Sequence, residues 1–193
     1  MIDVCIRKDY EQMTEYKVTL LDRSMKDWFV ELYNKNLKEL GDESCYKRIP
    51  YDNTLVLLEN GVPVSCVTFS VSMKEKEFRE LNSLTPIELR KRGYAKTLLK
   101  AFAEIVGNIP EFKDCASCRV LCLLSNVEGL KYHRRTADFV KNTTYGGEEM
   151  ALFSKKVAEF RKLNALDYKI DDVVYDRFLT RVMCFKVREG GRS

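Results

Sequence analysis

One histidine, one tryptophan and four prolines are scattered through 193 residues, and each scarcity removes a class of protein. His133 alone cannot build a histidine-rich metal centre. With so few prolines and no serine-rich stretch there is no interdomain linker, and no period repeats along the chain. A single domain over 1–193 is therefore expected. No apolar run approaches the ~18 residues of a membrane span, and the first residues lack the apolar core of a signal peptide. A cytoplasmic protein with no membrane partner is the expectation. Basic and acidic residues nearly balance, 33 against 29, for a net charge of +4. That excess is smaller than nucleic-acid-binding domains commonly concentrate on one face; it neither proves nor excludes a nucleic-acid partner, which stays a minor expectation. Seven cysteines are an odd number for a disulfide framework and read as free thiols. The glycine-rich phosphate motifs G-x-G-x-x-G and G-x-x-x-x-G-K-S/T are also absent.

What is present is a globular composition, 45% hydrophobic and 32% charged. Alternation predicts a short strand over 3–7. Met25, Trp28, Phe29, Leu32, Leu37 and Leu40 recur at helical spacing, predicting a helix that Ser24 caps and Gly41 stops. Three strands follow, over 54–58, 62–72 and 78–84, the first two joined by turn residues Asn60-Gly61. After Pro86 and Gly93 the apolar period changes from two to about 3.6. Ala95, Leu98, Leu99, Phe102, Ala103 and Val106 then share one face of a helix over 94–106. The run 119–124 reads as a strand buried on both faces, and 127–135 as a helix. Met150, Phe153, Val157, Phe160 and Leu163 predict a further, inserted helix over 148–166, before a last strand over 178–187.

The segment richest in chemistry is Arg90-Lys91-Arg92-Gly93-Tyr94-Ala95-Lys96, where a strand–turn–helix junction carries small residues at two positions. Such a turn lets backbone N–H groups approach an anion, and the helix N-terminus adds partial positive charge. Lys91, Arg92 and Lys96 add full charges, so a phosphate-bearing ligand suits the place. Two further patterns compete for attention. Cys115-Ala116-Ser117-Cys118, with Cys122 nearby, is short of the four ligands of a structural zinc and precedes a strand, unlike a redox motif, so no metal is expected. Lys131 to Arg135 interleaves base and aromatic, and reads as a solvated helix face that could also touch a phosphate.

The stretch 81–99 resembles the cofactor-binding segment of the GNAT superfamily, the acyl-CoA-dependent N-acetyltransferases. Their Q/R-x-x-G-x-G/A pattern is matched by Arg90, Gly93 and Ala95. Asn126 at the end of the next strand, with Tyr132 and His133 in the helix after it, extends the resemblance over roughly 54–139. It implies an α/β (α+β) fold, with a mixed, mainly antiparallel sheet flanked by helices. It also implies acetyl transfer from acetyl-CoA to a primary amine, on a small molecule or a protein, by direct attack. The alternative is an inactive GNAT-like domain that binds CoA or a protein partner. By this resemblance Leu84 N–H polarises the thioester carbonyl, Asn126 bonds the pantetheine arm, and residues 90–96 hold the pyrophosphate. Glu80, four residues before Leu84, is the candidate base, with Asp138 the second choice. Tyr132 or His133 is the candidate acid, Tyr132 being favoured because a phenol keeps its proton at neutral pH.

Overall fold

A computed structural model describes residues 14–39, 53–72, 74–145 and 147–178. The strand expected over 3–7, the helix stop at Gly41 and all but the first residue of the strand expected over 178–187 lie outside them. The elements in chain order are β1 (Tyr16–Leu20), α1 (Lys26–Glu39), β2 (Thr54–Glu59), β3 (Val62–Ser72), β4 (Glu77–Leu84), α2 (Tyr94–Gly107), β5 (Ser117–Leu123), α3 (Val127–Thr136), β6 (Asp138–Tyr145), β7 (Glu148–Lys156), α4 (Val157–Phe160) and β8 (Lys169–Ile170). They build one sheet of order β6-β7-β5-β4-β3-β2-β1-β8. Its pairs are antiparallel except β4–β5 and β1–β8. The parallel β4–β5 pair needs a crossover, and α2 supplies it. The expected mixed, mainly antiparallel sheet flanked by helices is what the chain forms.

Strand alternation sends apolar side chains to two faces. On one, Phe29 and Leu32 of α1 cover Val56, Cys66 and Leu84. On the other, α2 lies over Leu55, Leu57, Val67, Phe69 and Phe78, while Leu130 of α3 covers Val120, Cys122, Ala151 and Phe153. Phe102 anchors the second face, its ring stacked on Phe69 at 3.8 Å and edge-on to Phe78 at 5.0 Å between centroids. Such pairs add roughly 0.5–1.5 kcal/mol beyond the area they bury.

Four expectations are corrected. The segment 148–166 is not a helix: β7 occupies Glu148–Lys156, pairing with β5 and β6 on its two edges, and only one helical turn, α4, follows. Ala151 and Phe153 point inward at strand spacing, and Val157 and Phe160 then share a turn, so a strand joined to a turn imitates helical periodicity. Two full ladders outweigh the helical propensity of the segment. The strand β5 is buried on one face only. Cys118, Val120 and Cys122 point in, whereas Arg119 and Leu121 face solvent. Ser24, expected to cap α1, instead donates to Asp22, which organises the turn ahead of the helix. Asp22 Oδ1 accepts from Ser24 N–H at 2.8 Å, Ser24 Oγ at 2.6 Å and Met25 N–H at 3.3 Å, and these bonds lower its pKa. Phe178, expected to open a strand, is instead helical, within 172–178, and packs on Phe102 and Phe112.

The join between β5 and α3 is tight. Asn126 caps α3, its Oδ1 accepting from Gly129 N–H at 2.9 Å. A Cβ on Gly129 would stand 2.6 Å from Asn126 Nδ2 and 2.9 Å from Cys122 Sγ. Gly129→Ala is expected to dislodge the cap and destabilise the fold by about 1 kcal/mol, the worth of an N-cap. Chemical denaturation of the two proteins measures it, and equal midpoints would contradict this packing.

Candidate active site

The ladder between β4 and β5 joins Glu77–Glu80 to Ser117–Val120 and ends there. β4 runs on to Leu84 and β5 to Leu123 without pairing to each other, so the strands splay. At the same level the β3–β4 register slips: Phe69 opposes Glu80 and Thr68 opposes Asn82, leaving Leu81 as the extra residue of a bulge. A bulge reverses which face the following residues take. Phe78 and Glu80 therefore lie on the α2–α3 face, while Leu84 lies under α1. Within the splay, backbone groups along the facing edges have no ladder partner, which makes a slot for an extended chain. Beyond it, Ser65 Oγ donates to Leu84 O at 3.1 Å and is bonded to Thr85 Oγ1 at 2.8 Å, fixing the end of β4.

The turn that follows reaches α2 through Gly93, whose φ of 90° is left-handed. An ideal Cβ there would meet no atom within 4 Å, so the space over the turn is open. By helix geometry the N–H groups of Tyr94, Ala95 and Lys96 have no intrahelical acceptor. Glycine, open space and free donors converge at one helix N-terminus, which fits a diphosphate. The side chains divide otherwise than the sequence suggests. Arg90 donates from Nε to Thr85 O at 3.1 Å and pairs with Glu39 at 2.6 Å, which ties the turn to the end of α1. The Tyr94 hydroxyl is turned inward and donates to Glu59 at 3.1 Å, beside the Tyr16 hydroxyl at 2.9 Å on the same carboxylate. Only the backbone of Tyr94 is free to serve a ligand. Lys91 of the turn and Lys131 and Arg135 of α3 act together on Glu128, so these cations lie on one side of the site.

Glu80 and Tyr132 both lie on the α2–α3 face, with no hydrogen bond between them. Glu80 is 6% exposed and its Oε1 has no hydrogen-bond partner. Burial pushes its pKa up to about 7. The Tyr132 hydroxyl is likewise sealed and unpartnered. Its pKa is raised by burial first, then by the charge of Glu80. Cys118 and Cys122 of β5 feel the same carboxylate, and burial raises both thiols. His133 adjoins this group, its ring edge-on to Tyr132 with centroids at 5.0 Å. It packs on Phe153, with centroids at 5.7 Å, and burial lowers its pKa to about 4. A ring that is neutral at physiological pH lacks the proton an acid must give. Asp138 sits on β6, two strands beyond β5, and is not brought to Glu80. Asn126 performs its capping role.

Several contributors carried no sequence signal. Glu39 is 51 residues from Arg90 in the chain, and Glu59 gains meaning only through the two tyrosines that meet on it. Cys118 and Cys122 share the face that Glu80 takes; their spacing of four on a strand, one face, is the signal that could have placed them. Among the described residues no group of three or more His, Cys, Asp or Glu side chains could hold a metal ion. Nor is any helix among them long and apolar enough to cross a membrane.

No family model matches the chain, and no curated protein matches it in sequence. Solved structures match it in fold. The putative acetyltransferase YncA of Salmonella typhimurium, solved with its cofactor acetyl-CoA, superposes with a TM-score of 0.54 at 13% identity, covering 74% of this chain and 94% of that one. The PaiA N-acetyltransferase of Thermoplasma acidophilum, in complex with coenzyme A, gives 0.56 at 13%, covering 74% and 99%. Naa50 of Arabidopsis thaliana, bound to a bisubstrate analogue of CoA and a peptide, gives 0.56 at 11%, also covering 74% and 99%. This chain has the fold of the GNAT N-acetyltransferases, as its sequence resemblance implies.

Proposed function

We propose that the protein is an N-acetyltransferase of the GNAT superfamily that moves an acetyl group from acetyl-CoA to a primary amine by direct attack. The observation that carries this reading is the splay of β4 from β5 beside the open glycine turn. One feature accommodates an extended pantetheine arm and the other a diphosphate, and they adjoin. In this reading the N–H groups that open α2, with Lys91, Arg92 and Lys96, hold the pyrophosphate. Arg90 shapes the turn through Glu39. Leu84 N–H polarises the thioester carbonyl, an oxyanion donor on a strand end fixed by Ser65. Tyr132 gives its proton to the departing sulfur. Asn126 sets the start of α3 and so the height of Tyr132 above the slot. The acceptor is an amine of a small molecule or of a protein. Cys66, Cys115, Cys118 and Cys122 are free and buried, which suits the reducing cytoplasm.

The test is release of CoA from acetyl-CoA by the purified protein across a panel of small amines and peptide N-termini. Amine-dependent release is the expected result, and in Tyr132→Phe it should fall about 10²-fold, as for loss of a general acid. Binding of acetyl-CoA without release to any acceptor would instead favour a CoA-binding module.

A further inference from the structure

We propose that Arg90 is a positioning residue for the thioester end of β4, with Glu39 of α1 as its anchor, and that its guanidinium does not bind the diphosphate. The proposal rests on the acetyl-transfer reading, in which Leu84 N–H polarises the thioester carbonyl, and it says what holds that donor still. The splay that opens the slot also takes support away from the strand that carries the donor. β4 loses its β5 partner after Glu80, and its last pair with β3 is Leu84 with Cys66. Past that pair no ladder among the described residues holds the chain, and Pro86 has no N–H with which to add a rung.

Two side chains take over. Ser65 Oγ donates to Leu84 O at 3.1 Å, and Arg90 Nε donates to Thr85 O at 3.1 Å. The two carbonyls that follow the donor N–H are thus each held by a side chain. A single 3₁₀ turn over Ile87–Leu89 brings Arg90 back to Thr85. In it Leu89 N–H donates to Pro86 O at 2.9 Å and Arg90 N–H to Ile87 O at 3.3 Å. Arg90 Nη2 then reaches Glu39 at 2.6 Å. One planar fork is fixed at two points, which the single head of a lysine cannot do.

Glu39 is the last residue of α1, where an acidic side chain opposes the helix dipole. A carboxylate suits that place only with a cation against it, and Arg90 is that cation. Lys35, one turn earlier on α1, meets Glu88 at 3.9 Å, but both side chains are more than half exposed, and such a pair contributes little. Of the two pairs at this junction, only the one through Arg90 also holds a peptide of the strand end. With Nε on a carbonyl and Nη2 on a neutralising carboxylate, the guanidinium is committed to protein partners. The diphosphate is left to the N–H groups that open α2 and to Lys91, Arg92 and Lys96. An oxyanion donor must be held closely, since a misplacement of about 1 Å can cost 10²-fold in rate.

The experiment measures kcat and the acetyl-CoA KM for CoA release, with the acceptor that serves best in the amine and peptide panel, beside the thermal shift with acetyl-CoA. Arg90→Met should lower kcat by about 10–10²-fold, with KM and thermal shift near those of wild type. Arg90→Lys should lose as much, because it keeps the charge and lacks the fork. Glu39→Met should lower kcat in the same direction, and should add nothing to Arg90→Met in the double variant, since both undo one clamp. Lys35→Met, at the exposed neighbouring pair, should leave kcat unchanged. An Arg90 that bound diphosphate would give the opposite pattern. Arg90→Met would then raise KM and spare kcat, Arg90→Lys would restore KM, and Glu39→Met would free the cation and lower it. That pattern overturns the proposal. So does a lost thermal shift in Arg90→Met, or an equal kcat loss in Lys35→Met, which would make the junction no more than a seat for α1. A wild-type protein that acetyl-CoA does not stabilise would instead sink the acetyl-transfer reading itself.

Discussion

Gly93→Asp is expected to abolish the thermal stabilisation that acetyl-CoA confers on the wild-type protein. At about 100 times its dissociation constant a ligand adds roughly 2.7 kcal/mol to the folded state. For a chain of this length that amounts to about 5–10 °C in the melting midpoint. Two causes act together in the variant. Gly93 has a φ of 90°, a conformation that costs a side-chain-bearing residue about 1–2 kcal/mol. An aspartate there also sets a negative charge and a Cβ in the open space over the N–H groups of Tyr94, Ala95 and Lys96. The first effect lowers the midpoint without ligand by a few degrees; the second removes the ligand's shift. Gly93→Ala separates them, since it carries the backbone strain without the charge and should keep part of the shift. Scanning fluorimetry with acetyl-CoA from micromolar to millimolar reads all three proteins. A full shift in Gly93→Asp would show that the diphosphate does not rest on this turn.

That turn was legible in the sequence because its signals are local. The period changes from two to about 3.6 across Gly93, and the glycine stands where only a left-handed residue joins strand to helix. The hairpin at Asn60-Gly61 and the α2 face were legible for the same reason. What escaped depended on contacts distant in the chain. Arg90 reads as an anion ligand until Glu39, at the end of another helix, takes its guanidinium. Tyr94 reads as part of the cofactor loop until Glu59 draws its hydroxyl inward. The helix expected over 148–166 gave way to β7 because pairing on both edges lies outside any local window. Glu80 keeps the face of Phe78 while one extra residue in the ladder with β3 turns Leu84 to the other, and no alternation along β4 alone reveals a bulge.

The burial of Glu80 and His133 makes a second large effect measurable in stability rather than turnover. Glu80 has a folded-state pKa raised from 4.5 to about 7. Above its unfolded value the unfolded chain releases a proton that the folded chain retains, so stability falls as pH rises and the loss is complete above the folded value. His133 runs the other way. Its pKa is lowered from 6.5 to about 4, so stability falls as pH drops through that interval, where the unfolded chain binds a proton that the fold refuses. The two losses oppose one another across almost the same window, and from these groups the wild-type curve is nearly flat there. Glu80→Gln removes one of them. Its stability relative to wild type should climb by about 2–3 kcal/mol between pH 5 and pH 8, using 1.36 kcal/mol per pKa unit, or roughly 4–12 °C in the midpoint. The amide brings a cost of its own for unpaired polar atoms, but that cost does not vary with pH, so the change in the difference isolates the carboxyl. Wild type and Glu80→Gln curves that stay parallel from pH 5 to pH 8 would show that Glu80 titrates as an ordinary, hydrated carboxylate. A stabilised variant that has lost turnover would fit a group held at the expense of the fold for the proton it carries.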